Sequence, residues 1–291
     1  MSANQPAPSV SFSSTPPLKL LSGVKNIIAV ASGKGGVGKS TVAVNLALVL
    51  AQTGASVGLL DTDIYGPSLP LMMGICERPT GDPRTGLLTP LEKHGLRLMS
   101  MGFISDEKTA VIWRGPMVHK MITTFMAQVD WGTLDYLVMD LPPGTGDAQL
   151  TITQTAPLTG AVIVTTPQDV SLIDARKGLL MFQQVNVPVL GIVENMCYFV
   201  CDECGKRHEI FRYGGGRRAS EELGVPFLGE VPLDPKVTWG GDQGAPVVTS
   251  APDSPASQAL REVARKLIAQ LEATAAQRAP LPTLDLTGIG K

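Results

Sequence analysis

The chain has 291 residues, 44% of them hydrophobic, with 24 Lys and Arg against 26 Asp and Glu and a net charge of −2. That length and apolar content can bury a large core, and a near-neutral balance with no lysine/arginine block argues against a nucleic-acid partner. Four cysteines are too few for a disulfide framework, no apolar run is long enough to cross a bilayer, and residues 1–25 hold neither an apolar signal core nor an arginine, so a soluble cytoplasmic protein with no membrane partner is expected.

Residues 1–22 are rich in Ser, Pro, Ala and Gln and read as a disordered tail. From 23 to 277, apolar strands alternate with helices, which predicts one α/β domain: a doubly wound, mostly parallel sheet flanked by helices. The run at 26–31 is its first strand. It enters Gly33-Lys34-Gly35-Gly36-Val37-Gly38-Lys39-Ser40, and a helix from Thr41 to about residue 53 follows. Strand, glycine-rich turn and helix in that order are the context of a phosphate loop, and Gly33, Gly38, Lys39 and Ser40 satisfy G-x-x-x-x-G-K-[ST]. Backbone N–H groups of the loop and the helix N-terminus, with Thr41 in its first turn, converge on phosphate oxygens. Lys39 is assigned to the β- and γ-phosphates of ATP and the Ser40 hydroxyl to Mg²⁺. An ordinary phosphate loop has no need of Lys34, which by spacing alone reads equally as a solvated lysine.

A second buried strand at 56–60 ends in Asp61-Thr62-Asp63, carboxylates at the crevice end of a parallel sheet. Asp63 is a candidate for orienting the attacking water and Asp61 for an outer contact to Mg²⁺; the plainer alternative is that the pair caps the following turn. Residues 76–95 lack periodicity and read as a surface excursion, with Cys76 as a buried, inert thiol. A short strand follows at 96–101. Trp113-Arg114-Gly115-Pro116 then precedes a helix whose stripe of Met117, Met121, Ile122, Phe125, Met126 and Val129 reads as a core face. The strand at 136–140 closes on Asp140, placed to hold a Mg²⁺-bound water. In the segment Leu141-Pro142-Pro143-Gly144-Thr145-Gly146-Asp147 behind it, the Gly144 N–H can approach a γ-phosphate and sense hydrolysis.

A further strand at 161–166, a helix at 171–185 and a strand at 189–193 lead to Glu194-Asn195-Met196, where Asn195 reads as a turn residue. Next come Cys201 and Cys204, with Gly205 after them, inside a loop spanning 197–208. This knuckle spacing lets two thiolates converge on one metal while loop N–H groups bond to the sulfurs. Two ligands are half a set, and three completions are open: a symmetry-related chain adds its own pair around an iron–sulfur cluster, Cys197 and His208 complete a zinc site, or the pair is a redox couple. A helix ending near Gly224, a strand at 227–231 and a helix at 257–276 complete the fold. Pro232 and Asp234 lie where a loop could pack on a purine ring. Residues 278–291, with Pro280, Pro282, Gly288 and Gly290, read as a flexible tail unable to form an amphipathic membrane helix.

Four blocks in this order resemble the Mrp/ApbC branch of the MinD/ParA group of ATPases, the scaffolds or carriers of iron–sulfur clusters. They are residues 33–40, Asp61-Thr62-Asp63-Ile64-Tyr65-Gly66-Pro67-Ser68, the segment 141–147, and Glu194-Asn195-Met196 followed by Cys201-x-x-Cys204. The resemblance is nearly full length. It implies that Lys34 reaches across a dimer interface to the partner's nucleotide, making ATP binding and dimerisation one event, and that Asn195 bonds adenine. It also implies a homodimer holding a [4Fe–4S] cluster between two Cys201/Cys204 pairs, with slow ATPase activity linked to loading or delivery to apo iron–sulfur proteins alongside assembly factors. The bridging cluster is thereby favoured over the other completions. Against the family pattern, residues 1–25 contain no cysteine, there is no room for the small extra N-terminal domain of many bacterial members, and Cys197 is unexpected. A DNA- or membrane-positioning ATPase and a zinc-stabilised ATPase without cluster chemistry are the rival readings.

Overall fold

Val24–Ala31, uninterruptedly apolar from Ile27 onward, forms β1, at the centre of the sheet. In the computed structural model, which describes residues 21–64, 66–104 and 115–278, β1 is paired in parallel on one edge with β5 (Leu134–Asp140) and on the other with β6 (Gly160–Thr165). Outward from β5 lie β2 (Val57–Asp61), β4 (Leu96–Ser100) and the antiparallel edge strand β3 (Leu91–Lys93); outward from β6 lies β7 (Val189–Val200). β7 carries two further partners, β9 (Phe227–Leu233) in parallel and the short antiparallel β8 (Arg207–His208).

Continuous rather than alternating hydrophobicity in β1 follows from burial on both faces. Ile28 and Val30 belong to one core, shared with α1 (Lys39–Gln52) and α9 (Pro255–Arg278). Ile27, Ala29 and Ala31 belong to the other, under α3 (Gly115–Ala127), α4 (Asp147–Thr155), α5 (Asp169–Gln184) and α6 (Gly215–Leu223). The period-two alternation of a strand thus divides one sequence run between two layers. This is the expected parallel sheet sandwiched by helices, with the crevice at the C-terminal ends of β1, β2 and β5.

Several elements differ from expectation. Three short helices were not anticipated: α2 (Leu69–Met73), α7 (Pro235–Asp242) and α8 (Val247–Ser250). Each is too short to display a helical period. The excursion at 76–95 includes β3, turned back onto β4 by His94 and Gly95 at φ of 52° and 77°, the left-handed pair of a tight hairpin. Cys76 is exposed, not buried: Gly74 ends α2 in the left-handed conformation, Ile75 turns inward, and the next side chain faces out. Along α3 the stripe is core at Ile122, Phe125 and Met126, but Met117 is 45% exposed, and its neighbour Val118 takes the buried position in that turn. α9 begins and ends two residues beyond its expected limits, and β7 runs on past residue 193. The tail readings at 1–20 and 279–291, Tyr65, Trp113 and Arg114 lie outside the described residues.

Candidate nucleotide site and cysteine hairpin

At the end of β1 the chain turns through residues 32–38 and enters α1 with Gly38 as N-cap, at φ 83°. Two glycines are required, Gly33 by contact and Gly38 by contact and conformation. A Cβ on Gly33 would lie 2.2 Å from the backbone of Asp174 in α5, and one on Gly38 would lie 2.2 Å from Nδ2 of Asn195. The loop is therefore pressed between α5 and β7. Gly35 and Gly36 face open space.

Lys39 is buried, and its ammonium donates to Asp140 Oδ1 at 2.5 Å and to Ser40 Oγ at 3.2 Å, with Asp63 Oδ2 at 3.9 Å. The phosphate-loop lysine and the three oxygen-bearing side chains thus form one cluster, although they come from three strand ends. Asp61 and Asp140 are register partners in adjacent strands. Asp61 accepts from the Asp63 N–H at 2.9 Å, the Ser100 hydroxyl at 2.9 Å and the Leu69 N–H at 3.4 Å, so it does cap the following turn. Burial, and then the neighbouring Asp140 charge, push its carboxyl up to about 7. Asp140 is likewise pushed up by burial, with Lys39 pulling the other way. Ser40 and the carboxylates are hard oxygen donors, a set that suits Mg²⁺.

An aspartate in an unfolded chain loses its proton near pH 4, whereas Asp61 keeps its proton to about 7. Between those values the folded chain binds the extra proton, so this contribution to stability is complete below the lower value and is lost as pH rises through the upper one. The slope reaches at most about 1.4 kcal/mol per pH unit for one proton. Thermal midpoints of the metal-free protein in EDTA should accordingly fall less from pH 4 to 8 in Asp61→Asn than in wild type. Parallel curves would refute this assignment.

The remaining nucleotide candidates are engaged within the protein. The Gly144 N–H donates to Ser32 O at 2.9 Å, so that bond must open before the group can meet a phosphate. Asn195 is a buried residue of β7, not a turn residue, and its amide donates to Val37 O at 2.8 Å, leaving Oδ1 as the group available to a base. Pro232 ends β9 with Leu233, and Asp234 caps α7 by accepting from the Lys236 N–H at 2.9 Å. Its second carboxylate oxygen is buried without a hydrogen bond, in a small cleft shared with Phe199 and Asp202. Lys34 is half-buried and, among the described residues, makes no ion pair. A cleft of about 420 Å³ between Ser56, His94 and Arg97 lies at the opposite, N-terminal ends of the strands and touches none of these groups.

β7 continues from Asn195 through a register shift, with Met196 at φ 56°, to the cysteine hairpin. Its polar stretch is buried because each group has a distant partner: Glu194 accepts from the Gly214 N–H at 2.9 Å and from the Gly216 N–H, at the start of α6. The turn is closed by Cys201 N–H to Lys206 O at 3.0 Å and Gly205 N–H to Cys201 O at 2.8 Å. Cys201 is half-buried and Cys204 exposed, and N–H groups of Cys204 and Glu203 hold the Cys201 thiol below its usual range. Both sulfurs are thus presented outward, one already surrounded by donors to a thiolate. Cys197 does not join them. It is buried, its thiol donates to Val231 O at 3.1 Å, and burial first, then the charges of Glu194 and Glu230, push it up to about 12. Among the described residues no three His, Cys, Asp or Glu side chains are grouped to hold a metal, so Cys197 and His208 are not gathered with Cys201 and Cys204 in this structure.

Residues 23–268 match the model of a ParA family described as NUBPL iron-transfer P-loop NTPase. An iron–sulfur cluster carrier protein of Synechocystis sp. is 56% identical over 256 residues, 87% of this chain and 72% of that one. The iron–sulfur cluster transfer protein NUBPL of Dictyostelium discoideum is 49% identical over 254 residues, 87% of this chain and 78% of its own. Among solved structures, a nucleotide-binding protein from Archaeoglobus fulgidus in complex with ADP superposes with a TM-score of 0.69 at 40% identity, covering 78% of this chain and 89% of the other.

Proposed function

The chain belongs to the ParA family of NUBPL-type iron-transfer P-loop NTPases, and from that premise we propose an iron–sulfur cluster carrier whose ATP site and cysteine pair are worked by one strand. The observation that carries this reading is the course of β7: Asn195 bonds the phosphate loop, and the same strand ends at Val200, directly before Cys201. One chain offers two thiolates, and a [4Fe–4S] cluster takes four. A homodimer with the two hairpins facing across a two-fold axis supplies them.

In the nucleotide site, Lys39 exchanges Asp140 for the β- and γ-phosphates, and Ser40 and Asp140 hold Mg²⁺, which neutralises phosphate charge. Asp63, close to the Lys39 ammonium, orients the water, and Pro232, Asp234 and the free oxygen of Asn195 take the adenine. Lys34 reaches the nucleotide of the partner, which makes dimerisation and slow ATP hydrolysis one cycle. The recipients are cytoplasmic apo iron–sulfur proteins, met together with assembly factors. No helix among the described residues is long and apolar enough to cross a membrane.

Anaerobic reconstitution with iron and sulfide tests this directly. A brown protein absorbing near roughly 400 nm, with about four irons per two chains and the mass of a dimer, is expected. A colourless protein, or a monomer that carries the full iron content, defeats the proposal.

A further inference from the structure

We infer that Arg207 is a positioning residue for the cysteine pair, fixing the hairpin that carries Cys201 and Cys204 to α6 and β9 through a stacked guanidinium; the inference rests on the cluster reading of that pair. The tip of β7 has little backbone support. Toward β8 only Phe199 with His208 and Val200 with Arg207 pair, and both β8 residues are exposed. Toward β9, pairing lapses after Asn195 and resumes at Phe199 with Leu233. A two-stranded ribbon of this length is not stable in water by itself, so side chains must hold its direction.

One side chain is placed to do so. The Arg207 guanidinium carbon lies 3.7 Å from the ring centroid of Tyr198 on β7 and 4.0 Å from that of Tyr213, just before α6. The two rings meet edge to face with centroids 6.3 Å apart. Tyr213 is tied in turn: its hydroxyl donates to Glu230 Oε2 at 2.6 Å, and the other oxygen of Glu230 accepts from Arg217 at 2.9 Å. Contacts therefore run unbroken from the hairpin through Arg207 to β9. A planar guanidinium can stack on two aromatic faces, whereas an ammonium is a compact point charge that cannot. Arg207 follows Lys206, whose carbonyl closes the cysteine turn, so any shift of the stack moves the sulfurs.

The test compares wild type, Arg207→Ala and Arg207→Lys as full chains. In the metal-free protein, hydrogen exchange of amides at 198–208 should accelerate about tenfold in Arg207→Ala, with α1 unchanged and lysine recovering only part. After anaerobic reconstitution, loss of iron to a soluble chelator should also quicken about tenfold while the Mg-ATP affinity and thermal midpoint hold, a split that general destabilisation would not give. Should the alanine variant misfold, lysine and Tyr213→Phe, which keeps the ring and frees Glu230, carry the same comparison. Exchange within about twofold of wild type in every variant overturns the inference. A wild type that takes up no iron defeats the cluster reading alone, and the exchange rates still decide the role of Arg207.

Discussion

Lys39→Ala is expected to lower ATP hydrolysis by at least about 100-fold, the scale lost when one preorganised charge is withdrawn from a developing phosphoryl transition state. The geometry adds a second effect. Lys39 is the cation beside Asp140 and near Asp63, with Asp61 next in the sheet. Removing it leaves buried carboxylates without their counter-charge, a loss of about 3 kcal/mol or more for a broken buried pair. Burial already raises Asp61 and Asp140, and without the lysine both are driven further toward their neutral forms. The destabilisation should therefore be largest above pH 7 and shrink on acidification, when protons replace the missing charge. Phosphate release, ATP titration and thermal midpoints from pH 5 to 8 measure the two effects separately. Hydrolysis within tenfold of wild type would remove Lys39 from the phosphate site, and a pH-independent loss of stability would remove it from the carboxylate cluster.

The sheet and the phosphate loop were legible because their determinants are local. β1, the glycine turn and α1 are consecutive, and Asp61 (with Asp63 two residues on) and Asp140 each close an apolar run that names its own strand end. Residues whose function depends on distant partners were not legible. Glu194 and Asn195 interrupt an apolar run, and polarity alone reads as the end of the strand at residue 193. They continue it because α6 supplies N–H groups to one and the phosphate loop a carbonyl to the other, the second across 158 positions of sequence. The engagement of Gly144 with Ser32 was hidden in the same way, and so was the stack of Tyr198, Arg207 and Tyr213, none of which forms a motif. Cys76 was misread as buried and the place of Cys197 was left open, since spacing to other cysteines carries no information about which way a strand or cap turns a side chain.

Cys201→Ala should abolish cluster binding while ATP binding remains. In a homodimeric site the substitution removes a sulfur from each chain, half of the ligand set, and two remaining thiolates cannot retain a four-iron cluster. The hairpin itself should persist. Its closure uses the backbone N–H and carbonyl of Cys201, and alanine keeps both. The phosphate loop meets β7 at Asn195, before the register shift that separates it from the turn. Iron after anaerobic reconstitution should therefore fall below about a tenth of wild type, with ATP affinity within about twofold, and Cys204→Ala should behave alike. The other cysteines supply the contrast. Cys76→Ala should change neither quantity, because that thiol is exposed and belongs to neither the hairpin nor the phosphate loop. Cys197→Ala should keep its iron but lose about 1–2 kcal/mol of stability, from a buried contact and the Val231 carbonyl left without its donor. Equal iron in Cys201→Ala and wild type would sink the cluster assignment. Loss of iron in Cys197→Ala with its stability intact would mean instead that the buried thiol leaves Val231 to join the metal, and that a single chain completes its own site.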